Sequence, residues 1–127
     1  MIASTETFPF YEECRAKFGV DINKNVVFTY GNTIHARCYI PPDLLVHEQT
    51  HSVQQERMGK DAWWKAYLLS PAFRIKQEVE AYRNQYKYLK TNDREHNFKV
   101  LSRLASDLSG GTYGSVMTLQ EAIKKIQ

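Results

Sequence analysis

The sequence predicts an α+β fold: one mostly helical domain carrying a single β-hairpin. Three observations lead there. The chain has 127 residues, 43% of them hydrophobic, which suffices to bury one core without staples and leaves no room for a second module. Only residues 25–40 are dense in β-branched and aromatic residues, and a Gly-Asn pair divides them. Beyond residue 42 the apolar residues recur every three or four positions, which is the helical period.

The elements follow in order. "PFYEECRAKFG" (9–19) spaces apolar residues helically and ends on a glycine suited to a C-cap, so a short opening helix is expected. "NVVFTY" (25–30) and "TIHARCYI" (33–40) read as the hairpin strands, because Gly31-Asn32 suits a two-residue turn with positive φ. "PPD" (41–43) stops the second strand and places Asp43 as the cap of a helix over about 44–58, closed by Gly59. "DAWWKAYLLS" (61–70) reads as a helix capped by Asp61, and Pro71 opens a long one reaching about residue 90. "DREHNFKVLSRLASDL" (93–108) is a further amphipathic helix, and "SGGTYGS" (109–115) is the one glycine-rich loop. The last helix, 118–127, starts with Thr118 and Glu121 in the spacing of a capping box.

Composition excludes several classes. A net charge of +3 is too mild to argue for nucleic acid. In "YRNQYKYLK" (82–90) the tyrosines at 82 and 86 fall on the core stripe while the cations lie elsewhere, as on an ordinary solvated helix face. Cys14 and Cys38 cannot form a disulfide framework and stand at no metal-ligand spacing from the histidines. The opening residues lack a charged n-region and an apolar run, so no signal peptide is expected. No stretch approaches the ~20 apolar residues of a membrane span. The expected compartment is the cytosol, with neither nucleic acid nor membrane as partner.

"VHEQTHSVQQ" (46–55) falls on the helix that follows the hairpin. Histidines four apart share one helix face, so His47 and His51 can both reach one tetrahedral zinc. Glu48 then points toward the open coordination position, where it can take a proton from zinc-bound water. The plain alternative is a solvated helix face with two incidental histidines.

A site of this type needs a third ligand, and the candidates are Glu78 and Glu80 in "RIKQEVEAYRNQY" (74–86). Ile75, Val79, Tyr82, Tyr86 and Leu89 form the core-facing stripe. At about 100° per residue Glu78 sits at the edge of that stripe and Glu80 points nearly opposite, into solvent. Glu78 is therefore the expected ligand, with Ala81 one turn on letting two helices approach. The alternative for either glutamate is a surface charge paired with Arg74, Lys76 or Arg83.

The segments His47-Glu48-Gln49-Thr50-His51 and Glu78-Val79-Glu80-Ala81-Tyr82 together resemble the gluzincin branch of zinc metallopeptidases. Its members carry HExxH on one helix and a glutamate in an E-x-x-A-D-like segment on the next. The sequence is similar to the small, single-domain gluzincins and to the HExxH-x-x-x-Q proteins common in bacterial and phage genomes. The resemblance spans roughly residues 26–114, with only those two segments specific. It implies a zincin-like fold, Zn²⁺ held by His47, His51 and Glu78, and peptide-bond hydrolysis with a peptide or protein as substrate. The chain departs from the pattern at Tyr82, where many gluzincins place an aspartate that orients a histidine. A phenol can accept the imidazole N–H without adding charge, or Tyr82 can be plain core.

Other residues are weaker candidates. Tyr113, between Gly111 and Gly114, could serve as the catalytic donor to the oxyanion, or be an ordinary turn tyrosine. His35, on the second hairpin strand, could line a cleft where substrate adds to the sheet, or be a half-exposed strand histidine. His96 lies in the polar stretch "NDREHN" and is a poorer choice. Gln54 and Gln55 follow His51 by three and four residues, and either could reach the metal site. Trp63, Trp64 and Tyr67 read as core and rim aromatics. Two other classes compete with the peptidase reading. One is a non-catalytic zinc-stapled structural or interaction protein, for example a phage component, for which Glu48 would be needless. The other is a nucleic-acid binder, whose binding would fall steeply with salt.

Overall fold

In the computed structural model, which describes residues 1–127 except for the side chain of Thr112, the chain begins with β1 (Ile2–Ser4) and α1 (Tyr11–Phe18). The hairpin strands β2 (Val27–Tyr30) and β3 (Thr33–Ala36) follow. Then come α2 (Pro42–Met58), α3 (Lys60–Leu69), α4 (Pro71–Leu89) and α5 (Arg94–Ser109). A 3-10 turn (Gly111–Tyr113) and α6 (Leu119–Ile126) end the chain. The architecture is α+β and mostly helical, and among the described residues no helix is long and apolar enough to cross a membrane.

The hairpin turns where the Gly-Asn pair predicted, with positive φ falling on Gly31 and Tyr30 opposite Thr33. A third strand was not foreseen. β1 pairs in parallel with β3 and makes it the centre of a β1-β3-β2 sheet. Three largely exposed residues, Ile-Ala-Ser, carry no alternation from which a strand could be read. The outcome leaves β2 as the edge strand nearest α2.

Two expected caps are displaced. Asp43 lies inside the first turn of α2, which Pro41 caps and Pro42 opens without a side-chain cap. Proline is tolerated there because its missing N–H is one the helix could not use. Asp61 likewise lies inside α3, because Gly59 serves both as the end of α2 and as the cap of α3. Its carboxylate instead accepts the Tyr30 hydroxyl at 2.6 Å. The predicted capping box at Thr118 and Glu121 is present.

Two apolar clusters form. Phe8, Tyr11, Ile22, Phe28, Trp63 and Trp64 are among the residues that join α1, the sheet and α3. Tyr82, Tyr86, Leu104, Leu108 and Ile126 are among those that join α4, α5 and α6. Helix α2 lies between α4 and β2 and belongs to neither cluster. The seam it fills is polar, and the predicted site lies there.

Candidate metal centre

Helix α2 buries His47, Glu48, Thr50, His51, Gln54 and Gln55. Its inward face is thus as buried as a core helix and nearly devoid of apolar residues. Facing it, α4 buries Arg74, Glu78, Ala81 and Gln85, a stripe of helical period beside its apolar one. Ala81 has no exposed surface and, one turn beyond Glu78, presents no bulk to hold the two helices apart. Glu78 is therefore fully inside, not at the rim that its stripe geometry suggested.

His47, His51 and Glu78 converge. His47 Nε2 lies 3.0 Å from Glu78 Oε1, and His51 Nε2 lies 3.2 Å from Glu78 Oε2. One ligand atom from each of the three residues falls within 4.8 Å of the others. Around a tetrahedral zinc such atoms stand roughly 3.3 Å apart, so the cluster can hold the ion with small adjustments. In the structure both imidazoles lie directly against the Glu78 carboxylate. Burial alone would lower the His51 pKa, but the charge of Glu78 and its hydrogen bond raise it to about 9. Burial would likewise raise the Glu78 carboxyl. The His51 charge and the hydrogen bonds of both imidazoles outweigh it and hold Glu78 well below the ordinary carboxylate range.

The far side of each imidazole tests the fit of a metal. Gln85 Nε2 donates to Asp43 Oδ2 at 2.8 Å, so its Oε1 is the atom 3.0 Å from His47 Nδ1. Gln54 Nε2 donates to the Gln77 carbonyl at 3.0 Å and to Glu80 Oε1 at 2.9 Å, so its Oε1 faces His51 Nδ1 at 2.9 Å. An amide oxygen only accepts, and each Nδ1 must therefore carry a proton. The free lone pair of a neutral imidazole is then on Nε2, facing Glu78. Two nitrogen lone pairs and a carboxylate meeting in a buried place require protons or a cation between them. Two imidazoles and one carboxylate are a common donor set for zinc.

Glu48 is beside the cluster. Its Oε2 lies 3.8 Å from His47 Nε2, and its Oε1 accepts the Thr29 hydroxyl at 3.0 Å. Burial pushes the Glu48 carboxyl up, against the pull of His47 and His51. A cavity of about 100 Å³ touches His47, Glu48, His51 and Glu78. Its other walls include Phe18, Val26, Val27 and Phe28, and Tyr113 also lines it. The Tyr113 hydroxyl shares a hydrogen bond with that of Tyr82 at 3.1 Å. Burial pushes the Tyr113 phenol well above its ordinary value, so it stays protonated.

Other candidates are placed elsewhere or differently. His35 sits on the central strand, buried, where its Nδ1–H donates to the Glu6 carbonyl at 2.8 Å and its ring lies against Phe8. It faces no cleft. His96 donates to the Leu89 carbonyl at 3.0 Å. Glu80 is exposed, as expected, yet its carboxylate reaches the site through Gln54. Tyr82 lays its ring against His47, centroids 4.5 Å apart, and the orienting acceptor is Gln85 one turn on. Gln55 holds the hairpin instead: it accepts the Gly31 N–H at 2.7 Å and donates to the Thr29 carbonyl at 2.8 Å.

Tyr67, read as a packing aromatic, is part of the centre. Its hydroxyl donates to Glu78 Oε2 at 2.6 Å, and burial and the Glu78 charge push its pKa well up. Gln85, Asp43 and Thr29 were also missed. The signal for Gln85 was present: Arg74, Glu78, Ala81 and Gln85 repeat at intervals of four, three and four, a stripe distinct from the apolar one.

In comparisons with protein-family models, curated proteins and solved structures, nothing matched the chain.

Proposed function

We propose that this chain is a zinc-dependent peptidase with a zincin-like fold of gluzincin type, in which His47, His51 and Glu78 hold Zn²⁺ and Glu48 is the general base. The observation that carries the reading is a buried two-histidine, one-carboxylate cluster with a second carboxylate, Glu48, set against it and not part of the ligand set. A purely structural zinc site has no use for that second carboxylate.

Bound zinc supplies a Lewis acid that makes a water nucleophilic near neutral pH and polarises a carbonyl. Glu48, pushed up by burial, is poised to take a proton from the attacking water and return it to the leaving amine. Thr29 fixes the carboxylate by holding Oε1. Tyr67 holds Glu78 from the side away from His47. Tyr113, protonated and lining the cavity, is the proposed donor to the developing oxyanion.

The substrate is an extended peptide or protein segment lying along β2. That strand is an edge of the sheet, and extended peptides add to such edges through backbone hydrogen bonds. Gln55 and Trp64 already cover the Thr29 carbonyl, so the open part of the edge is at Val27, which lines the cavity. The cytosol is the proposed compartment.

Elemental analysis of the purified protein with peptide-hydrolysis assays tests the proposal. Zinc near one per chain is expected, lost in Glu78→Ala. Glu48→Gln is expected to keep the metal and lower hydrolysis by about 10²–10⁴-fold. Zinc bound without hydrolysis by the wild-type protein would leave a stapled structural site; hydrolysis unaltered in Glu48→Gln would remove Glu48 as the base; no zinc uptake would end the reading.

A further inference from the structure

We propose that Gln85 and Gln54 are positioning residues, each tying one imidazole of the centre to a carboxylate farther from it so that both Nε2 atoms are presented to the metal. The inference rests on the metal-centre reading above. The chains run Asp43–Gln85–His47 and Glu80–Gln54–His51, with every link between 2.8 and 3.0 Å.

The chemistry of each link sets its direction. Asp43 and Glu80 carboxylates only accept, so each glutamine must offer its NH₂ outward and its oxygen inward. The oxygen in turn only accepts, so each imidazole must carry hydrogen on Nδ1. A proton fixed on Nδ1 leaves Nε2 as the one atom that can ligate, and both Nε2 atoms face Glu78. The glutamine oxygens also disfavour a ring flip, which would set Cδ2 against the amide oxygen, forfeit the Nδ1–H hydrogen bond and turn Cε1 toward Glu78. The two chains approach from different elements. Gln85 comes from α4 across the interface, whereas Gln54 is on the helix that carries His51 itself. The outer ends are anchored as well: Arg103 donates to Asp43 Oδ2 at 3.3 Å, and the Gln77 carbonyl shares the Gln54 amide.

A neutral amide in this place serves a purpose that a carboxylate would not. Glu48 and Glu78 already place two buried carboxyl groups at the centre. A carboxylate directly on each imidazole would add two more in a buried site, at a steep desolvation cost. Glutamine passes on the orientation and keeps the charge one residue farther out, at part-buried Asp43 and exposed Glu80. Gln85 and Gln54 are themselves buried, whereas Glu80 is exposed.

The experiment pairs zinc competition titrations with ¹H–¹⁵N spectra of imidazole N–H groups in the metal-free protein. Wild-type protein is expected to show slowly exchanging Nδ1–H signals from His47 and His51, with that of His35, held by Glu6, as an internal control. Gln85→Ala should erase the His47 signal alone and Gln54→Ala the His51 signal alone. Each should weaken zinc binding about 10–100-fold. Should either alanine variant fail to fold, Gln85→Met or Gln54→Met carries the same expectation with the chain length kept. The exchange Asp43→Asn with Gln85→Glu, which keeps an acceptor on His47 and a donor beyond it, should restore the His47 signal, with zinc affinity recovered only in part because a carboxylate then lies buried directly on the imidazole. Signals that persist in the single variants overturn the proposal, as do signals lost with affinity unchanged. Wild-type protein with both signals and no zinc uptake overturns the metal-centre reading instead, and leaves the histidine–glutamine ties standing.

Discussion

On one side of α4, Tyr82 and Tyr86 meet Leu101, Leu104, Leu108 and Ile126 of α5 and α6. On the other, Arg74, Glu78 and Gln85 meet α2 and α3 through hydrogen bonds and charge. Both faces are buried. The first is held by area removed from water, about 25 cal/mol per Å², without regard to direction. The second is held atom by atom: among the described residues no buried side-chain nitrogen or oxygen lacks a partner. Even Arg74, with no carboxylate bonded to it, gives its guanidinium to the Tyr67 and Leu68 carbonyls at the end of α3 and lies over the Phe18 ring. A face built this way tolerates little change, because removing one partner strands the next. The apolar face therefore carries stability and the polar face carries the candidate site, and substitutions can pull the two apart.

The largest expected separation is at Leu104, which is 1% exposed and central to the apolar cluster. Leu104→Ala should cost about 2–5 kcal/mol in denaturant unfolding, from lost burial and the cavity left behind. Zinc affinity should stay within about threefold of wild type if Tyr82, which belongs to the same cluster and lies against His47, keeps its place. A loss of zinc binding alongside the loss of stability would show that the two faces are one cooperative unit and would break the comparison.

A smaller effect belongs to the polar face alone and appears as a slope with pH. His51, raised from its ordinary 6.5 to about 9, contributes stability that is fully present below pH 6.5 and is lost as pH rises through about 9. Glu78, lowered from its ordinary 4.5, contributes stability that is present above that value and is lost as pH falls below it. Metal-free protein should therefore be most stable between these limits and weaken on either side in chemical denaturation at a series of pH values. With zinc present the alkaline slope should flatten, because a ligated imidazole no longer needs its proton. The same flattening should be seen in Leu104→Ala, whose lost contacts do not titrate. A metal-free curve flat from pH 6.5 to 9 would mean that the His51–Glu78 pair is not charged.

What could be read from the sequence divides along the same line. The hairpin turn, the course of the helices, the capping box and the apolar stripe of α4 were legible because each depends on residues a few positions apart. The His47–His51 pair and Glu48 were legible for that reason too. Glu78 was reachable from its angle on the helix, although its full burial was not. The ties that complete the polar face were hidden, since their partners lie far apart: His47 and Gln85 are 38 positions distant, Thr29 and Glu48 are 19. Neighbouring Gln54 and Gln55 were indistinguishable because the choice depends on which element covers each side of α2. One turned out to serve His51 and the other the hairpin. Strand β1 escaped because three exposed residues acquire their pairing only from β3.

The smallest expected effect tests whether the apolar face depends on any directional bond at all. Helix α6 has eight residues, and its only buried side chains are those of Ala122 and Ile126 among the described residues. So short a helix is marginal by itself, so its docking depends on the capping box that starts it. The Thr118 hydroxyl accepts the Glu121 N–H at 3.1 Å, and the Glu121 carboxylate accepts the Thr118 N–H at 3.2 Å. Thr118→Ala should cost about 1 kcal/mol of unfolding free energy, with zinc binding untouched. Thr118→Ser, which keeps the hydroxyl, should recover most of it. Equal losses in the two variants would mean that the methyl group, not the bond, does the holding. The apolar face would then rest on area alone, and every directional bond that matters on α4 would lie on the side facing His47 and His51.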